Sequence, residues 1–475
     1  MNRFGVFAFR FAKLGLIGVL VAGGASCGLV SPGPSPAPPQ KLAIAPLSAD
    51  DVSWLFPPPA RAEDFAKLIA VRELATPNAQ DPMKRDPVWP DAVFQRFLEI
   101  AKSHRAQVAG TTFRIGLPVE AQSIDAWFIA GIRIDAGAPG LSSDIRAQFG
   151  QAPEIRLIIQ PVTRNADGSP QVHDIAVHLI FNFTLEKQKL PAEARCLPIL
   201  RPEPDLDAFN KIVADLADLR TKLSNGQLGA NKVSTNGAPL GVHPGLADAT
   251  TESNLRQEMK AFLERHISGK RLAAMAMTGL PAPPADAPWI FLAMAKVPVL
   301  GFVPVLSPTL DGKTQFAQML QPAGKKPRVV PEPHTNNLNP ITCANGAIPG
   351  SLPLAERAGV STAALFVTPQ PTDEKINEVT KVIDDPDRSH FFNTDCVSCH
   401  TETRRAMDLL KTKEFPGIDT AALPNSQYAV RNFGWSPGSK GSFQATVTRR
   451  TAAETAAVVT FINSELLAKQ AVTNH

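Results

Sequence analysis

Residues 175–183 decide the fold of the first half of the chain, because Ile175, Val177, Leu179, Phe181 and Phe183 alternate there with Ala176, His178, Ile180 and Asn182. Alternation with a period of two is typical of a β-strand that buries one face. A second strand-like run occupies 154–162, and the intervening 165–170 is rich in turn formers. We therefore expect a β-hairpin here. A further strand is predicted at Trp127, Ile129, Ile132 and Ile134.

Outward from this hairpin, apolar residues at helical spacing predict one helix over about 206–223 and another over about 255–267. The apolar stretch 289–306 is interrupted by Lys296, Pro298 and Pro304, which favours two buried strands over a membrane span. Residues 51–330 are thus predicted to form an α+β domain, largely β with helical insertions. No catalytic set is visible in it. His173 and His178 fall on opposite faces by parity, which argues against a shared metal site.

Composition limits the class of protein. The chain has 475 residues, of which 44% are hydrophobic and 19% charged, so it can bury more than one core. The formal charge of +4 is spread thinly over this length and gives no electrostatic basis for a nucleic-acid partner. The 44 prolines indicate many extended connections.

The first residues indicate export. Arg3, Arg10 and Lys13 precede an apolar run over 14–22 and a stretch of small residues, which together predict a signal peptide over 1–26. Cys27 stands where a bacterial lipoprotein carries its acylated cysteine, although Gly24 replaces the usual large aliphatic residue. Residues 27–50 are rich in proline and predict a semi-rigid tether. The expectation is a periplasmic protein anchored to a membrane by lipid at Cys27; the alternatives are an uncleaved anchor and a soluble periplasmic protein.

The chemistry is concentrated in Cys396-Val397-Ser398-Cys399-His400, a C-x-x-C-H sequence. Two thiols at this spacing can form thioethers to the two vinyl groups of one porphyrin, and the adjacent imidazole then ligates the iron. The motif predicts one covalent haem c, with His400 as an axial ligand. A zinc site would need two more ligands, and a dithiol redox motif would need a βαβ setting that this region lacks.

Residues 371–475 resemble a class I cytochrome c domain. Phe392 lies four residues before Cys396, as in that family, and Thr451 and Glu454 form a capping box before an apolar stripe that is similar to its C-terminal helix. The resemblance implies an all-α haem domain after a linker over 331–370. No family resemblance extends to residues 40–370.

One departure from the family concerns the second axial ligand of the iron, because no Met follows Met407. Met407 itself falls on the same helix face as His400. The remaining candidates are water or one of a set of side chains, namely His334, His390, Lys440, His475, Met259 and Met294. Arg431 and Trp435 are candidate donors to a haem propionate, with core packing as the alternative.

Two cysteines then have no other predicted role. Cys196 and Cys343 are expected to form a disulfide in an oxidising compartment, or else to be separately buried thiols. Electron transfer to an unknown redox partner is the expected activity. The alternatives are a haem enzyme or sensor with an open sixth iron position and a binding or scaffold lipoprotein with accessory haem.

Overall fold

The computed structural model describes residues 45–78, 80–81, 83–104, 106–108, 111–185, 188–189, 200–279, 281–282, 290–297, 299–305, 372–389, 396–424, 431–437 and 442–468. The chain divides into Met1–Ala43 and a compact unit Ile44–His475. Helices of this unit are α1 (Ala49–Val52), α2 (Asp91–Ser103), α3 (Ser143–Phe149), α4 (Leu206–Ser224), α5 (Pro244–Ala247), α6 (Glu252–His266), α7 (Asp373–Asp384), α8 (Cys396–Leu410) and α9 (Arg449–Phe461).

The strands, in chain order, are β1 (Ser53–Leu55), β2 (Ala75–Pro77), β3 (Arg85–Pro87), β4 (Ala106–Val108), β5 (Thr111–Ile115), β6 (Trp127–Ala138), β7 (Ala152–Arg164), β8 (Pro170–Val172), β9 (Ile175–Asn182), β10 (Gln188–Lys189), β11 (Leu200–Arg201), β12 (Leu272–Gly279), β13 (Pro281–Ala282), β14 (Ile290–Val297), β15 (Gly301–Val305), β16 (Phe433–Pro437) and β17 (Phe443–Val447). Short 3₁₀ turns begin at Ala62, Val71, Glu120, Ile124 and Thr420, and a π-helix, Ile462–Leu467, continues α9.

An antiparallel sheet of eight strands dominates the molecule, in the order β1-β6-β7-β9-β12-β14-β15 with β8 beside β7. This confirms the predicted strands at 154–162 and 175–183, the strand that begins at Trp127 and the two strands within 289–306. The predicted helices are confirmed as α4 and α6.

The two faces of this sheet differ in chemistry. On the apolar face, Leu179 lies between Leu157 and Met275 of the adjacent strands, and all three are at most 1% exposed. Trp54 on the same face meets the ring of Phe262 from α6, 5.2 Å away, so α6 covers this side. Complete burial of such side chains, at roughly 25 cal/mol per Å², makes this layer the main source of stability.

The opposite face, which we call the His178 face, carries polar and small residues together with Ile158 and Ile180. His178 is paired with Ile158 of β7 and Ala276 of β12. The C-terminal elements cover part of this face. Arg133 of β6 binds Glu454 of α9 at 2.9 Å, and the Ser53 and Thr455 hydroxyls are 3.0 Å apart. This face therefore receives α9, the helix that follows the β16–β17 hairpin.

The prediction of an all-α C-terminal domain is wrong. β16 and β17 form an antiparallel hairpin between α8 and α9, with Trp435 paired to Ala445. Phe433 and Trp435 are fully buried, and they alternate with Gly434 and Ser436 as strand residues do. Both aromatic side chains belong to the same hydrophobic core as the large sheet. Segments 51–330 and 371–475 thus contribute to one core, because the hairpin packs on the sheet.

The predicted capping box of the last helix, Thr451 with Glu454, is also wrong, because the helix begins earlier in the chain. α9 begins at Arg449, and its N-cap is Thr448, whose side chain accepts from the backbone N–H of Thr451. Thr451 and Glu454 lie inside the helix, so Glu454 is free to project toward Arg133.

Candidate functional site

The helix α8 begins at Cys396, so Cys399 and His400 lie in its first two turns. Cys399 is a free thiol whose Sγ accepts from Asn432 Nδ2 at 3.6 Å. Burial raises the pKa of the Cys399 thiol to about 12. The sulfur is therefore protonated at neutral pH and is held beside the strand β16.

Polar contacts fix the crossing of α8 and α9. Glu402 is fully buried, and burial raises the pKa of its carboxyl to about 7, although Arg449 opposes this shift. The backbone N–H of Arg450 donates to Glu402 Oε1 at 3.3 Å, and that of Arg449 donates to the Thr403 hydroxyl at 2.8 Å. The first turn of α9 is thus satisfied by α8 side chains, which sets where His400 lies relative to the sheet.

His178 of β9 is the sheet residue that interacts electrostatically with His400. Its pKa lies well below the usual value for histidine because of burial and because Arg156, His400, Arg133 and Arg431 are close enough to disfavour a further positive charge. The imidazole is therefore neutral, and neutral imidazole is the form that ligates metals. Within the described part of the chain, it makes no hydrogen bond.

Three arginines surround this pair of histidines, and each has a defined partner. Arg156 of β7 binds Glu154 of the same strand. Arg133 binds Glu454, whose pKa is lowered to about 2 because Arg450, Arg133 and Arg156 outweigh the effect of burial. The structure places the predicted site residue Arg431 against Thr278, at 2.7 Å, and Asp174. Each of the three arginines near His178 is thus paired with an acidic side chain.

Small side chains adjoin His178 on the strands β12 and β14. Ala274 and Ala276 follow each other on the His178 face of β12, and they pair with Ala295 and Ala293 of β14. All four are partly exposed, whereas Met275, Met277, Leu292 and Met294, which alternate with them, are at most 2% exposed on the apolar face. The surface of β12 and β14 next to His178 is therefore only partly covered.

The structure places the other predicted residues as follows. Trp435 lies under the β16–β17 hairpin, and its Nε1 donates to the backbone oxygen of Phe56 at 2.8 Å, so this N–H is already engaged. Met294 points to the apolar face, and Met259 is fully buried on α6. Met407 is buried on α8 itself. Cys27, Cys196, Cys343, His334, His390, Phe392, Lys440 and His475 lie outside the described residues.

His178 is a residue near α8 that the sequence did not indicate as a site residue. The strict alternation of 175–183 does place it on the less apolar face of its strand. By sequence, the only other histidine close enough to share a metal site with it is His173. This residue lies before β9, and its Nε2 is 2.8 Å from the Thr163 hydroxyl. The partner that matters comes from a helix more than two hundred residues later, and no local pattern indicates that contact.

Comparisons with protein families, curated proteins and solved structures found no match to this chain. In the described ranges, no group of three or more His, Cys, Asp or Glu side chains is arranged to hold a metal ion. Among the same residues, no helix is both long enough and apolar enough to cross a membrane.

Proposed function

We propose that the protein is an exported c-type cytochrome that carries one haem, attached through Cys396 and Cys399 with His400 as an axial ligand, and that it transfers electrons. The observation that carries the proposal is that the C-x-x-C-H sequence opens α8, whose Cys399 contacts Asn432 beside the hairpin that packs on the His178 face. When bound, haem supplies a one-electron couple at its iron.

The residues around α8 fit such a group in three respects. Cys399 is a free thiol, as thioether formation requires. The alanines of β12 and β14 leave the adjoining sheet surface partly exposed. Arg133 and Arg156 lie on the same face, and a guanidinium is a suitable hydrogen-bond donor to a porphyrin propionate.

In this proposal, the chain's own groups hold and orient the cofactor. Glu402 and Thr403 fix α8 against α9, and so fix the direction of the His400 imidazole. The hairpin that buries Trp435 excludes water from one side of the site. Export and lipid attachment at Cys27 belong to the same proposal and rest on the sequence of the first 39 residues. Labelling with a radioactive fatty acid is expected for the full chain and not for Cys27→Ala.

Covalent haem is the decisive test. The full chain, expressed in a periplasm that matures c-type cytochromes, is expected to give haem-linked peroxidase staining on a denaturing gel and one haem per chain in the pyridine assay. Cys399→Ser is expected to lose most of the stain, since one thioether remains. Ser398→Ala changes a variable position of the motif and is the matched control, with full staining expected. A purified wild-type protein without covalent haem would overturn the proposal.

An electron carrier is distinguished from a haem enzyme or sensor by the sixth iron position. Rapid reduction by an artificial donor without carbon monoxide binding is expected for a carrier. Stoichiometric carbon monoxide binding by the ferrous wild-type protein would instead favour the enzyme or sensor.

A further inference from the structure

We infer that His178, on the central strand β9, is the second axial ligand of the haem iron, so that the large sheet and the helix α8 hold the cofactor between two imidazoles. This inference rests on the proposed function. It reverses the sequence-based view of His178, which gave that residue no metal-binding role.

The position of His178 is fixed by strand register. It pairs with Ile158 on one side and Ala276 on the other, so its side chain projects from the His178 face. That face is the one approached by the C-terminal elements, because Gly434 lies against Ile158 and Glu454 binds Arg133. His178 therefore lies on the sheet face that α9 and the β16–β17 hairpin cover.

The two histidines come from different elements, and the segment before β16 connects the surfaces that carry them. Arg431 binds Thr278 on the His178 face of β12 at 2.7 Å, and the next residue, Asn432, donates to Cys399 Sγ of α8 at 3.6 Å. His400 is carried by α8, and β9 supplies His178 from the opposing layer. Two ligands of one iron must approach it from opposite sides of the porphyrin, which residues of a single helix face cannot do. Ligands on two facing layers meet this requirement.

The surroundings of His178 leave it available. The described residues give its ring no hydrogen bond, in contrast to His173, which is bonded to Thr163. Its neighbours Ala274 and Ala276 are small and partly exposed. Side chains of the same strand on the apolar face, such as Leu179, are fully buried. Among the described residues, a partly exposed surface of small side chains thus adjoins an imidazole that makes no hydrogen bond.

The methionines that are alternative iron ligands in the described part of the chain lie away from the His178 face. Met294 is on the apolar face of β14, on the other side of the sheet from His178. Met259 is buried on α6, whose Phe262 packs on Trp54 of that same apolar face. Met407 belongs to the helix that carries His400. None of these three shares the His178 face.

The wild-type holoprotein gives the first test, which needs no variant. Near-infrared magnetic circular dichroism and electron paramagnetic resonance of the ferric form are expected to show low-spin iron with two imidazole ligands. A His/Met spectrum, or a high-spin spectrum with water as the sixth ligand, would overturn the inference while leaving covalent haem in place.

His178→Ala is the second test. The variant is expected to keep one covalent haem per chain, to become high-spin, and to bind carbon monoxide at least about tenfold faster than the wild type, with added imidazole restoring the low-spin spectrum. His178→Met is expected to stay low-spin with a raised reduction potential, since thioether ligation favours ferrous iron. His173→Ala is the matched control and should leave all spectra unchanged.

The outcomes separate the two proposals. A wild-type protein without covalent haem removes the proposed function and this inference together. A haem-loaded His178→Ala protein whose spectra match the wild type removes the inference alone. Low-spin wild-type spectra combined with a high-spin His178→Ala protein support both.

Discussion

At the scale of the single residue, Asp50 is a buried acid without a compensating contact. It is 1% exposed, and neither carboxyl oxygen has a hydrogen-bond partner within the described structure. Burial, together with the neighbouring carboxylates Asp51 and Asp419, raises the pKa of Asp50 to about 8. The carboxyl is therefore neutral in the folded protein at pH 7.

This shift predicts how stability depends on pH. The unfolded chain releases the Asp50 proton near pH 4, whereas the folded protein keeps it to about pH 8. Its contribution to stability is complete below about pH 4 and declines by up to about 1.4 kcal/mol per pH unit as the pH rises toward 8. Asp50→Asn removes this loss, because the amide does not titrate.

We accordingly expect Asp50→Asn to raise the free energy of unfolding at pH 8 by more than it does at pH 5, measured by denaturant titration at both values. Asp207→Asn replaces an exposed carboxyl of α4 and serves as the control. Equal effects of Asp50→Asn at the two pH values would show that Asp50 ionises normally in the folded state.

At the scale of the element, the hairpin β16–β17 docks on the sheet through a close contact at Gly434. The backbone there has φ +141°, and an added Cβ would lie 3.0 Å from Gln160 Oε1 and 3.2 Å from Ile158 Cγ2. Gln160 holds the neighbouring Trp435 through two bonds, accepting from its N–H at 2.7 Å and donating to its carbonyl at 3.0 Å. A side chain at position 434 would disturb this anchor.

Gly434→Ala is expected to lower the free energy of unfolding by about 2 kcal/mol, from backbone strain and from displacement of Gln160. Gly237→Ala is the matched control, because Gly237 also has a positive φ, +69°, but nothing lies within 4 Å of an added Cβ. Thermal or chemical denaturation of both variants measures the difference. A Gly434→Ala protein no less stable than Gly237→Ala would contradict the close contact.

The elements show which parts of the fold are readable from sequence. β9 and α4 are predicted correctly. Each of them buries one face, and the period of two or 3.6 that this burial produces is visible within the element's own sequence. The β16–β17 hairpin is not predicted, although Phe433 and Trp435 alternate with small residues. The resemblance of this region to an all-α family implies helices there, and the aromatic rings are interpreted as possible haem contacts. The role proposed for His178 is not readable from sequence for a different reason: the position of α8 relative to β9 is fixed by tertiary packing, which local periodicity does not encode.

At the scale of the whole molecule, the proposed haem joins two layers that are otherwise connected by polar contacts. Arg133 with Glu454 and Ser53 with Thr455 are examples of such contacts. A cofactor bound covalently to α8 and ligated by β9 stabilises the native arrangement, since it binds the folded state and not the unfolded chain.

Removal of the haem tests this arrangement. A Cys396→Ala, Cys399→Ala double variant is expected to exchange amide hydrogens at least about tenfold faster than the holoprotein in 396–410 and 431–437, because these segments lose the shared cofactor. The internal control is α4 and α6, which pack away from the site and should keep their protection. Hydrogen exchange followed by mass spectrometry reads both regions in one experiment, and equal protection of α8 with and without haem would contradict the expectation.

Asn463, in the π-helix after α9, makes two hydrogen bonds to the backbone of Leu47, 416 positions earlier in the sequence. Its Oδ1 accepts from the Leu47 N–H at 2.8 Å, and its Nδ2 donates to the Leu47 carbonyl at 2.9 Å. These two hydrogen bonds can form only late in synthesis of the chain. A ribosome makes the chain from its N-terminus, so residues 396–400 are complete before residue 463 exists. Strand pairs of the large sheet can form earlier, but the His178 face cannot be closed by α9 until synthesis has passed this point. The two thiols therefore become available to a modifying enzyme while the fold is still open.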